Sequence, residues 1–153
     1  MSLYDRDFVL WTEQQAAALR RAKGSNLPLD CENLAEEIES LGKSDRRSLA
    51  SQIRRILHHL IKIEASPTAE PQAGWRSTIH NTRAEIEDIL NDSPSLRRQI
   101  EATINQQLAI AGRLAEDDLA RHREAIESIR TRLQGGGFTA DEVLGDWFPD
   151  PSG

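Results

Sequence analysis

The chain has 153 residues, one cysteine and a net charge of −6, which fits one domain able to bury a core without disulfide or metal. Negative charge speaks against direct nucleic-acid binding, which rests on a basic face, and no apolar run reaches the roughly 18 residues of a membrane span. MSLYDRDF at the N-terminus lacks a signal peptide's basic-then-apolar layout, so the expected address is the cytoplasm, with no membrane partner.

The pattern is helical nearly throughout, with valine only twice and no sustained period-two alternation. Asp5 or Asp7 can cap a first helix with apolar positions Phe8, Trp11, Ala18, Leu19 and Ala22. Arg20, Arg21 and Lys23 suit the negative end of its dipole. After the loop GSNLPL, Asp30 caps a short second helix, and Gly42 is expected to stop it. Ser44 or Asp45 opens a third helix to about Glu64, with the stripe Leu49, Ile53, Ile56, Leu57 and Leu60.

Residues 66–74 carry two prolines and a glycine and read as a loop. A fourth helix from about Trp75 to Leu90 buries Trp75, Ile79, Thr82, Ile86 and Ile89. Ser93 and Pro94 then read as N-cap and first helical position of a fifth region, 94–133. Its apolar positions are Leu96, Ile100, Ile104, Ala111 and Leu114, thinning between 115 and 125 before Ile126, Ile129 and Leu133, so that any break would fall near 115–120. It is either one long helix or two. Gly135, Gly136 and Gly137 tether a tail, 134–153, with a Thr139-capped helix and the aromatics Trp147 and Phe148. The expected fold is all-α: one domain over 1–153, a bundle of about five to six helices.

Several of these stretches occur together in one family. YDRDFVLW, the Gln15-to-Leu19 step, LDCENLAEEIESLGK, HHLIK, GWRSTI and DSPSL, in that order, resemble the bacterial family catalogued as domain of unknown function 29. The resemblance covers roughly residues 3–115. It implies a small, cytoplasmic, all-helical bacterial protein and no particular activity.

NLAEEIESLG, residues 33–42, concentrates acid. With Leu34, Ile38 and Leu41 as its buried stripe, Glu36 and Glu39 face water and Glu37 borders the stripe. Segment 30–39 carries five acids and no base, a net −5. Segment 43–62 carries six bases against Asp45, a net +5. Two helices joined at Gly42 would pack as a hairpin with these charges flanking the seam, each exposed pair contributing about 0–1 kcal/mol.

A polar cluster is the sharper reading. Gln15, Glu37, His59 and Arg83 sit on or beside apolar stripes, where polar groups need partners. Glu37 and His59 are the weak candidates for a metal, with Asp7, Glu36 or His80 as a third ligand. No Glu-x-x-His pair or His-Glu-x-x-His motif supports it, so neither metal nor cofactor is expected. Cys31 is flanked by Asp30 and Glu32, which oppose thiolate formation. No Gly-x-Ser-x-Gly elbow or phosphate loop appears, so nothing marks an enzyme.

The leading functional expectation is a protein-protein interaction module that binds a protein partner or associates with itself as a homodimer. Ile126, Ile129 and Leu133 are the expected interface, on a helix longer than its bundle. The alternatives are a metal-binding protein or enzyme around Glu37, His59 and Arg83, and an adaptor in a nucleic-acid-associated complex.

Overall fold

The computed structural model describes residues 1–68 and 70–150. Ala69 in the expected loop and Pro151–Gly153 of the expected tail lie outside the described residues. Among those described, every regular element is helical: α1 (Leu3–Arg6), α2 (Phe8–Arg21), α3 (Cys31–Ala65), α4 (Gln72–Asp92), α5 (Ile100–Asp118), α6 (Arg123–Gln134) and α7 (Ala140–Leu144). A 3₁₀ turn, Pro94–Gln99, precedes α5. The chain divides into two units, Met1–Leu49 with Asp88–Arg98, and Ala50–Glu87 with Gln99–Gly153.

The first unit starts from a shared cap. Asp7 Oδ1 accepts the Leu10 N–H at 3.0 Å, starting α2. The same carboxylate accepts the Ser95 N–H at 2.7 Å and its hydroxyl at 2.9 Å. In return the buried Ser93 hydroxyl accepts the Val9 N–H at 3.1 Å. Ser93 thus serves the N-terminus of α2, and Pro94 opens a 3₁₀ turn instead of a long α-helix. The buried face of α2 is Val9, Thr12 and Ala16, not the expected face of Phe8, Trp11 and Ala18. Phe8 and Trp11 instead pack edge-on against Tyr4, with centroids 5.8 and 4.9 Å away.

Gly42 does not end a helix. It lies buried inside α3, where an added Cβ would run into the Thr12 hydroxyl. Its missing side chain lets α2 and α3 approach closely, and with no turn there the expected hairpin of helices two and three does not form. The buried stripe also moves: Cys31, Ala35, Gly42 and Leu49 face inward, while Leu34 and Leu41 are exposed. The acids of 30–39 find their counter-charge on α2: Arg20 reaches Glu39, at 3.1 Å through Nη2, and Glu32 at 3.5 Å. Glu13 pairs with Arg46.

In the second unit, Ile53, Ile56, Leu57 and Leu60 of α3 are fully buried, as their spacing predicts. α4 begins at Gln72, inside the expected loop, and the buried Gln72 amide donates to the Ile63 carbonyl at 3.3 Å. Of the two readings left open for 94–133, two helices are found, α5 ending at Asp118 and α6 starting at Arg123. α6 then returns along α5, with Arg130 meeting Glu116 at 3.1 Å. Leu133 fills the space over Gly112, where a Cβ would come within 2.6 Å of it. Gly136 and Gly137 take φ of 100° and 74°, the left-handed conformation that ends a helix without a Cβ penalty.

Candidate functional site

The four polar residues expected to converge have different surroundings. In the first unit, Gln15 and Glu37 are both exposed. Glu37 stands beside Leu41, itself exposed, and makes no ion pair among the described residues. Of the third-ligand candidates, Glu36 is exposed and Asp7 is committed to its caps. In the second unit, His59 and Arg83 serve different neighbours.

Arg83 holds the C-terminal segment. Its Nε donates to the Val143 carbonyl and its Nη2 to the Glu142 carbonyl, each at 2.9 Å. Nη2 also donates to the Trp147 carbonyl at 2.7 Å. Val143 and Glu142 belong to the last turn of α7, whose carbonyls have no partner within the helix. The guanidinium therefore caps α7 from α4. Its plane lies 4.9 Å from the Phe148 ring, which also meets Arg76 at 4.7 Å and His80 at 5.2 Å. A capping box completes α7, the Thr139 hydroxyl accepting from Glu142 N–H and the Glu142 carboxylate from Thr139 N–H. Burial pushes the Arg83 pKa down, and Asp146 opposes it.

His59 lies in a second polar group, between α3 and α5. Its Nδ1 is 2.8 Å from the Arg55 carbonyl. Because a carbonyl only accepts, Nδ1 carries the proton. His58 Nε2 sits 2.7 Å from Asp118 Oδ2, and Lys62 Nζ donates to the same oxygen at 3.0 Å. Lys62 is only 8% exposed, and its ammonium lies 4.8 Å from the Trp75 ring. Burial lowers both imidazole pKa values. At His59 the hydrogen bond to the Arg55 carbonyl opposes this, while the charges of Lys62, His58 and Arg55 add to it; at His58 Asp118 opposes it and Lys62 adds to it. Burial raises the Asp118 pKa, but the hydrogen bonds and charges of Lys62 and His58 outweigh it and leave the carboxyl below its ordinary range. Beside this group is a pocket of about 200 Å³ lined by Ser51, Arg54, Arg55, His58, His59 and Leu114.

Among the described residues, no group of three or more His, Cys, Asp or Glu is arranged to hold a metal ion. Of the expected interface, Ile129 is 1% exposed and Ile126 and Leu133 are half-buried. The return of α6 along α5 covers the face that a longer helix would have left for a partner. Two features carry little signal in the sequence. One is the tail clamp, signalled only by Arg83 lying four residues from Ile79 and three from Ile86. The other is the exposure of Leu34 and Leu41, which apolar spacing alone hides.

A family model described as "Domain of unknown function DUF29" matches residues 3–135. No curated protein matches the chain. Among solved structures, the chain is similar to an alpha-helical protein of unknown function from Rhodospirillum rubrum ATCC 11170. The two share 24% identity over 97% of this chain and 99% of that one, with a TM-score of 0.69. That likeness concerns the fold. No helix among the described residues is long and apolar enough to cross a membrane.

Proposed function

We propose that the chain, which belongs to the Domain of unknown function DUF29 family, is a helical interaction module that docks a partner protein on residues 27–41. The observation that carries this reading is exposure: Leu27, Leu29, Leu34 and Leu41 are 62%, 50%, 40% and 51% exposed. Single exposed leucines are ordinary, but four within fifteen residues of one unit are an unusual concentration of exposed apolar surface. Leu34 and Leu41 stand two turns apart on α3, with half-buried Ile38 between them. Fully covering one leucine is worth about 1.5–3 kcal/mol, so a partner helix laid on this stripe gains affinity from it.

Charge selects the partner. Glu36 and Glu37 are exposed beside the stripe and unpaired among the described residues. The complementary surface is an apolar helix flanked by lysine or arginine. A second copy meeting the chain symmetrically here would bring glutamate to glutamate, so the charge favours a different, basic chain over self-association.

The test is chemical crosslinking through Lys23 and Lys43, which bracket the stretch, in cells producing the protein. Wild type should yield crosslinks to a partner helix rich in Lys and Arg, and Leu34→Glu/Leu41→Glu should lose them while melting as wild type does. Unchanged crosslinks in the double variant would overturn the reading, and crosslinks only to a second copy would replace the basic partner with self-association.

A further inference from the structure

We propose that the pocket between α3 and α5 binds the phosphoryl group of a small phosphate monoester. Its described lining is Ser51, Arg54, Arg55, His58, His59 and Leu114, so the residues bordering one space bring two guanidinium groups, two imidazoles and a hydroxyl, and none of them carries a carboxylate. A volume of about 200 Å³ admits a phosphoryl group and part of the organic residue it esterifies. The pocket lies wholly within the second unit and is separate from the leucine stretch.

The arginine donors are largely uncommitted among the described residues. Arg54 spends Nη1 on Gln107 at 3.2 Å, leaving its other nitrogens free among the described residues. Arg55 is exposed, its carbonyl accepts from His59, and its guanidinium has no partner among the described residues. Arginine forks match the paired oxygens of a phosphoryl group and form the stronger, charge-assisted class of hydrogen bond. Leu114 supplies an apolar wall, and Ile110, one turn earlier on α5, is 42% exposed. An ester with an apolar group can lay that group along this edge, whereas a free phosphate leaves it uncovered.

The imidazoles couple binding to a proton. His59 Nδ1–H is engaged by the Arg55 carbonyl, so the neutral ring offers only a lone pair at Nε2, which repels an anion. Protonation places an N–H there. His58 is held likewise, its Nε2 on Asp118. The charged groups bearing on the pair are Arg54, Arg55 and Lys62 from α3 and Asp118 from α5. Their balance is positive, which disfavours protonation in the empty pocket, whereas the negative charge of an entering phosphoryl group favours it. Binding should therefore take up a proton at His59 and tighten as pH falls from 8 to 6.

Titration of the full chain with phenyl phosphate and, separately, inorganic phosphate tests this, reading the imidazole C–H resonances at both pH values. A saturable shift of His59, stronger at pH 6 and weakened roughly tenfold or more by Arg55→Gln, is the expected result. Phenyl phosphate binding more tightly than phosphate assigns the ligand as an ester, and equal binding assigns it as free phosphate at the same site. Arg55 is exposed, so its variant should retain wild-type melting. His59→Gln provides a second check, since it should reduce the pH dependence of binding, leaving the part due to His58 and to the ligand's own second ionisation, which lies at about pH 6. No saturable shift with either ligand, or binding indifferent to Arg55→Gln, overturns the proposal.

Discussion

Arg83 and Trp147 stand 64 residues apart in sequence, yet Arg83 Nη2 donates to the Trp147 carbonyl at 2.7 Å. The same nitrogen serves Glu142, and Nε serves Val143. One side chain therefore satisfies three main-chain carbonyls and orders the segment after the glycines.

Replacing Arg83 with alanine removes all three bonds and the charge over Phe148. Hydrogen bonds to charged groups contribute about 1.5–3 kcal/mol each, without full additivity. A loss of about 2–3 kcal/mol is expected in urea unfolding. Arg83→Lys should recover little of it, because an ammonium cannot reproduce the planar fork. Lysine performing as well as arginine would mean that charge, not fork geometry, holds the tail.

Gly42 gives a test whose sign is decisive. Alanine in place of glycine inside an exposed helix stabilises by about 1 kcal/mol. Here the added methyl meets the Thr12 hydroxyl, and overpacking of this kind costs about 1–3 kcal/mol. Gly42→Ala should lower the melting temperature, and Thr12→Ser, which keeps the hydroxyl, should not relieve it. Stabilisation by Gly42→Ala would show that the close approach of α2 and α3 is not required.

Asp45 is half-buried, and burial followed by the like charge of Asp92 raises its pKa. Its ionised form is thus an unfavourable feature of the fold at neutral pH. Asp45→Asn should stabilise the protein by about 0.5–1 kcal/mol at pH 7. The gain should shrink as pH is lowered, where Asp45 is itself neutral. Thermal melts of both chains across pH 4 to 8 measure it.

His58 and His59 both have lowered pKa values in the fold. Unfolded imidazoles take up protons near their ordinary value of about 6.5, before the folded ones do. Stability is therefore complete above that value and declines as pH falls through the lowered folded values. Urea midpoints at pH 8 and pH 5.5 should differ in that direction, and His59→Gln should reduce the difference. An unchanged slope in that variant would assign the effect to other groups.

How far the sequence foretold this depended on the size of the residues carrying the information. The large aliphatic stripe from Leu49 to Leu60 is legible because bulky side chains at helical spacing have one sensible destination. The inward face of the first unit is made of Val9, Thr12, Ala16, Ala35 and Gly42, small groups that permit close helix approach and look like surface in a hydrophobicity pattern. Leu34, Ile38 and Leu41 then seem the obvious core, although two of them face out. Gly42 has the same ambiguity, since a helix stop and a packing notch are both written as glycine. The break after Asp118 was visible as thinning hydrophobicity, but its direction was not, because that depends on Leu133 finding Gly112. The tail clamp depends on main-chain carbonyls, which carry no sequence signature.

The exchange of caps between Asp7 and Ser93–Ser95 has a consequence for hydrogen exchange. The Val9 and Ser95 amides are protected by side chains on opposite sides of a chain separation of 84 to 88 residues. Closing so long a loop carries an entropy cost that neither bond alone offsets, so the two stand or fall as one cooperative unit. A single opening event that parts the start of α2 from the 3₁₀ turn releases both protons together. Their exchange rates should therefore track each other more closely than they track those of their immediate neighbours in sequence.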